Sequence, residues 1–134
     1  MAKDYKIFIS HAWDHDNDLK DLQDLLNKRG YFNVEFKEVT KDDPIDSENA
    51  KYIKRVLSNK IEESDIILGL AGMYASYSDW MEWELDKALE KGKNIIGVIP
   101  WGQQKTSNTV TERSKEDVRW NTDSIVNAIR YWAD

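Results

Sequence analysis

Short apolar runs alternate with amphipathic stretches along the whole chain. Tyr5–Ser10 (YKIFIS) is a compact β-branched and aromatic run and predicts a buried strand. Leu19, Leu22, Leu25 and Leu26 then recur at helical spacing, preceded by the capping candidates Asp14, Asp16 and Asn17 and closed by Gly30. Asn33–Val39 alternates apolar and charged residues, which suits a strand at a sheet edge. The polar stretch Thr40–Asp46 predicts a loop, and Ala50, Ile53, Val56, Leu57 and Ile61 supply a second helical stripe. Asp65–Leu70 (DIILGL) is nearly all apolar, as a parallel strand covered on both faces requires. A third helix is expected from about Tyr77 to Lys91, stopped by Gly92, and a second central strand over Asn94–Pro100. Gly102–Lys115 is polar and reads as a loop, followed by a short strand near Asp117–Trp120. Asn121 or Thr122 caps a last helix carrying Ile125, Ile129 and Trp132.

Strands and helices alternating at this spacing predict an α/β fold: a flavodoxin-like open parallel sheet, strand order 2-1-3-4-5, with helices on both faces. The 134 residues are expected to form one domain spanning 1–134. Area scaling leaves about 7,300 Å² of folded surface, enough burial for a core without staples. Zero cysteines exclude disulfides, thiolate metal sites and cysteine nucleophiles. A formal net charge of −6 without a basic stripe argues against nucleic acid or an anionic membrane surface as partner. No run reaches the roughly 18 apolar residues of a membrane span, and MAKDYKIFIS lacks a signal-peptide core, so a cytoplasmic location is expected.

In such sheets ligands bind beyond the carboxyl ends of the strands, near the switch in strand order. Ser10, His11, Ala12, Trp13 and Asp14 follow the first strand, Ala71 to Tyr77 follow the third and lead into Trp80, and Trp101 follows the fourth. Three of the six tryptophans thus fall at one edge, which forms either an aromatic-lined cleft or an apolar closure of the sheet's end. Several chemistries fail here. Ser10-His11 and Leu70-Ala71 stand where a phosphoacceptor receiver needs acids, and no glycine-rich phosphate loop follows the first strand. Asp14, Asp16 and Asp18 imitate a calcium loop, but Leu19 and Leu25 occupy its turn and twelfth positions. His11 and His15 straddle a turn without a third ligand, so no metal is expected.

The third helix carries the most information. Met81, Leu85, Ala88 and Leu89 are expected to form its core stripe, with Glu82, Asp86 and Glu90 on the solvated face. Glu84 belongs to neither set and stands on the shoulder of the stripe, one turn after Trp80. Partial desolvation beside aromatic rings would raise its pKa and suit it to catalysis. Equally, it is an exposed helix Glu that pairs with Lys87 or Lys91. A shoulder position predicts a stability cost within about 0.5 kcal/mol for Glu84→Gln, against about 3 kcal/mol for Trp80→Ala.

KIFISHAW, the DDPID loop and SDIILGLAGMYASYSDWMEWEL together resemble a TIR domain, and the likeness covers nearly the whole chain. The most specific block is Ser78, Asp79, Trp80, Glu84 and Leu85; FISHAW and VIPWG resemble the TIR-like branch of bacterial Thoeris anti-phage defence. The resemblance implies cleavage of NAD⁺ at the nicotinamide–ribose bond, with release of a cyclised ADP-ribose signal that reaches a partner effector by diffusion. NAD⁺ is then substrate, with no separate cofactor. It implies that Glu84 is the catalytic glutamate, and that the Ser10, His11 and Trp13 segment lines the nucleotide pocket. It further implies that the loop holding Asp43 gates the site and mediates self-association through TIR surfaces. Tyr74, Ser76 and Trp80 are further candidates for substrate contact. A non-catalytic TIR interaction module is the alternative.

Overall fold

The computed structural model describes residues 4–11, 17–28, 33–37, 48, 50–71, 79–100 and 108–133. Five strands alternate with five helices: β1 (Asp4–Ser10), α1 (Asn17–Asn27), β2 (Asn33–Lys37), α2 (Ala50–Glu63), β3 (Ile66–Leu70), α3 (Asp79–Glu90), β4 (Ile95–Ile99), α4 (Asn108–Thr111), β5 (Glu116–Arg119) and α5 (Thr122–Trp132). All strand pairs are parallel in the order β2-β1-β3-β4-β5, the doubly wound arrangement expected from the alternation. β2 lies at the edge, as its charged alternation foretold. The accessible surface of 7651 Å² is close to the scaling value.

Two apolar layers flank the sheet. Ile7, Ile9, Leu68 and Val98 meet Leu22 and Leu26 of α1 and Ile125, Val126 and Ile129 of α5. Phe8, Ile67 and Ile95 meet Ile53, Leu57 and Ile61 of α2 and Met81, Leu85 and Ala88 of α3. β3 and β4 are buried along their whole lengths because both layers cover them, which is why their sequences are uninterrupted apolar runs. The two-residue period decides which side chain serves which layer.

The structure refines the expectation in three places. Residues 108–111 of the polar stretch before β5 form the one-turn helix α4, whose Val110 is wholly buried against the sheet. Gly97 permits that approach: a Cβ there would press on Val110 and overlap the Asp117 carboxylate. Arg113 then ties α4 to α3, its Nε donating to Asp86 Oδ1 at 2.6 Å. That hydrogen bond raises the guanidinium pKa further. Second, α3 ends at Glu90, with Gly92 in the left-handed region at φ 73°. Third, Leu89 is 45% exposed and does not belong to the core stripe. At the last helix Asn121 is the cap, its Oδ1 accepting from the Ser124 N–H at 3.0 Å.

Candidate functional site

The carboxyl ends of β1 and β3 lie side by side, Ser10 in register with Gly69. This is the switch in strand order, where β1 continues toward β2 and β3 toward β4. Ser10 shares the parity of Phe8, so its side chain points into the layer that α3 covers. On α3 the buried positions are Trp80, Met81, Glu84, Leu85 and Ala88. The stripe is therefore centred nearer the 80/84/88 line than the 81/85/89 line, which buries Glu84 and exposes Leu89.

Glu84 is only 1% exposed, so the shoulder expected from spacing is core. The Ser10 Oγ hydroxyl donates to Glu84 Oε1 at 2.8 Å, and Ser10 is itself wholly buried. This is a contact between residues 74 positions apart. Neither lysine proposed as a surface partner takes that role: Lys87 pairs with Glu90 at 2.8 Å and Lys91 with Glu62 at 3.4 Å. Burial penalises an ionised carboxylate, while a donated hydroxyl hydrogen bond favours it. The premise that Glu84→Gln is cheap because the residue is peripheral is thus corrected.

His11 follows directly and is 8% exposed. Its Nδ1 is buried and meets no hydrogen-bond partner among the described residues, although the residue itself is engaged elsewhere. Trp80, 5% exposed, packs in the α2/α3 layer and meets Trp83 edge-on, with centroids 6.1 Å apart and planes at 81°. Lys54 and Lys87 lie over the Trp83 ring at 5.9 and 5.6 Å, so cations flank the outer ring of the pair. Trp80 is accordingly part of the buried layer. The structure joins Ser10 to Glu84, with His11 next along the chain from Ser10 and Trp80 one turn before Glu84 on α3. Trp13, Asp43, Tyr74 and Ser76 lie outside the described residues, as do Tyr77 and Trp101.

Spacing alone missed Ser10 as the partner of Glu84. The parity of β1 offered only part of the signal: it puts Ser10 on the same face as Phe8, without naming the partner it meets there. Among the described residues no group of three or more His, Asp or Glu side chains gathers as a metal site would, and no helix is long and apolar enough to cross a membrane.

A family model described as the TIR-like domain of the Thoeris protein ThsB matches residues 8–105. No curated protein matches the chain by sequence. Among solved structures, the CMP N-glycosidase BcmB of Clostridium botulinum superposes with a TM-score of 0.54 at 15% identity, over 93% of this chain and 98% of that one. A 2-deoxyribosyltransferase from Bacillus psychrosaccharolyticus superposes with a TM-score of 0.59 at 19% identity, over 91% of this chain and 90% of that one. Both likenesses are of fold.

Proposed function

Because the chain belongs to the TIR-like domain family of the Thoeris protein ThsB, we propose that it cleaves NAD⁺ at the nicotinamide–ribose bond with Glu84 as the catalytic carboxylate. The observation that carries this reading is a carboxylate 1% exposed at the strand-order switch, where a doubly wound sheet binds its ligands. An acid held in an apolar layer carries a desolvation cost that a surface acid avoids, and such groups concentrate at functional sites.

In the proposed step the ribose C1′–nitrogen bond breaks and its electron pair leaves with nicotinamide. The ribose becomes an oxocarbenium-like cation. A neighbouring carboxylate stabilises that charge and accepts hydrogen bonds from the ribose hydroxyls, interactions that strengthen as the bond breaks. A nucleophilic atom of the same molecule then attacks C1′ and closes a cyclic ADP-ribose-type signal, or water attacks and gives ADP-ribose. The Trp80 ring, with Trp13 and Tyr74 as further candidates, would favour closure by excluding water. Self-association through TIR surfaces, including the Asp43 loop, completes the site, and the product reaches an anti-phage effector by diffusion.

The test is chromatography of nicotinamide released from NAD⁺ by concentrated protein, with mass spectrometry of the second product. Glu84→Gln is expected to lower release on the order of 10²–10³-fold, the cost of removing one preorganised electrostatic group. Undiminished release from that variant rejects the assignment. One observation favours a second reading, a non-catalytic interaction module: Glu84 is held by Ser10 and hidden from solvent, as a structural acid would be. That reading expects no turnover in any state of assembly.

A further inference from the structure

We propose that Ser10 is a positioning residue that sets the orientation of the Glu84 carboxylate, an inference that rests on Glu84 being the catalytic group of the reading above. The resemblance placed Ser10 among the residues that line the nucleotide pocket. The structure gives its hydroxyl a different partner, for it is wholly buried and donates to Glu84 Oε1 at 2.8 Å.

Both ends of this bond are anchored. Ser10 closes β1, the one strand that pairs with both β2 and β3, and is in register with Gly69. Glu84 is in the middle of α3, whose Trp80, Met81, Leu85 and Ala88 are fixed in the apolar layer. What remains free in such a glutamate is the terminal torsion, which is broad and roughly two-fold. A hydroxyl donor on one oxygen favours one setting of that torsion. It commits Oε1 to the protein and so fixes the direction in which the second oxygen is presented. A carboxylate that stabilises a developing cation must be held before the bond breaks, since reorganisation during the reaction forfeits the gain. The bond also joins the end of β1 to α3, so the switch point and the acid move as one unit.

Steady-state kinetics on NAD⁺ for the wild type, Ser10→Ala, Ser10→Cys, Glu84→Gln and the Ser10→Ala/Glu84→Gln double variant test the inference, each rate normalised to folded protein by circular dichroism. Ser10→Ala is expected to lower kcat about 10- to 100-fold, the usual loss when a supporting hydrogen bond is removed, with KM within about twofold because the Ser10 hydroxyl is spent on the carboxylate and not on substrate. The nearly isosteric Ser10→Cys, a weaker donor, falls between wild type and alanine and keeps the comparison alive if alanine fails to fold. The double variant is no slower than Glu84→Gln alone, since a residue that acts through the carboxylate loses its effect once the carboxylate is gone. A raised KM with unchanged kcat would make Ser10 a substrate contact and overturn the inference. So would an equal slowing of the Glu84→Gln background, which marks an independent structural role. A wild type that never turns over NAD⁺ refutes the proposed function itself, whereas an active wild type indifferent to Ser10→Ala refutes only the role of Ser10.

Discussion

Two serine hydroxyls donate to carboxylates at opposite ends of the sheet, and their surroundings differ more than their geometry. Ser10 donates to Glu84 at 2.8 Å across 74 positions, both groups sealed between β1 and α3. Ser114 donates to Asp117 at 2.6 Å across three positions, at the open edge where β5 begins. The shorter bond is the less consequential one. At the edge, water competes for both partners and chain proximity makes the contact nearly automatic, so its net worth is small. In the interior no solvent is available, and removing the donor leaves a buried acceptor to bear its full desolvation. An acid kept dry by long-range packing is a commitment of the fold; an acid beside a turn serine is a local convenience.

The sharpest break of this contrast is catalytic. Glu84→Gln is expected to reduce nicotinamide release on the order of 10²–10³-fold, while Asp117→Asn at the open edge leaves it within about twofold, both read by chromatography. Next in size is packing: Trp80→Ala removes a ring 5% exposed beside the acid and is expected to cost about 3 kcal/mol in urea unfolding. For the two serines, Ser10→Ala is expected to cost about 2 kcal/mol and Ser114→Ala less than about 0.5 kcal/mol in the same measurement. Equal costs would show that burial is not what separates the pairs. Gly97→Ala brings a methyl onto the Asp117 carboxylate and Val110, a loss of about 1–2 kcal/mol that the double variant Gly97→Ala/Asp117→Ser partly restores, because only the carboxylate overlaps it.

The smallest effect concerns pH. The hydrogen bond and charge of Lys87 hold exposed Glu90 below its ordinary value of 4.5. A carboxyl depressed in the folded state contributes stability above about pH 4.5, which is lost as pH falls through its folded value. Thermal unfolding of wild type is therefore expected to fall slightly more between neutral and strongly acid pH than that of Lys87→Met. Water screens the pair, so the difference is slight.

Most of the frame was legible because period and composition report burial directly. DIILGL and NIIGVIP are apolar throughout since helices cover β3 and β4 on both faces, and the leucine and isoleucine stripes of α1 and α2 mark the sides that do the covering. The one-turn α4 was hidden, because Val110 supplies one apolar residue in a polar stretch and one residue has no period. Glu84 was visible as an anomaly at the edge of the α3 stripe, yet its depth was not. Chemically it looked like a surface residue, and the rotation that buries it is set by how α3 lies on the sheet.

By itself, then, the order of residues determined the alternation of strands and helices, the doubly wound sheet and the acid worth watching, because each depends on local periodicity and on burial that apolar side chains announce. Only the tertiary structure decided that this acid is dry and that Ser10 is its donor. That contact joins two segments 74 positions apart, and no local pattern encodes a distance that arises only when a helix is laid across a strand.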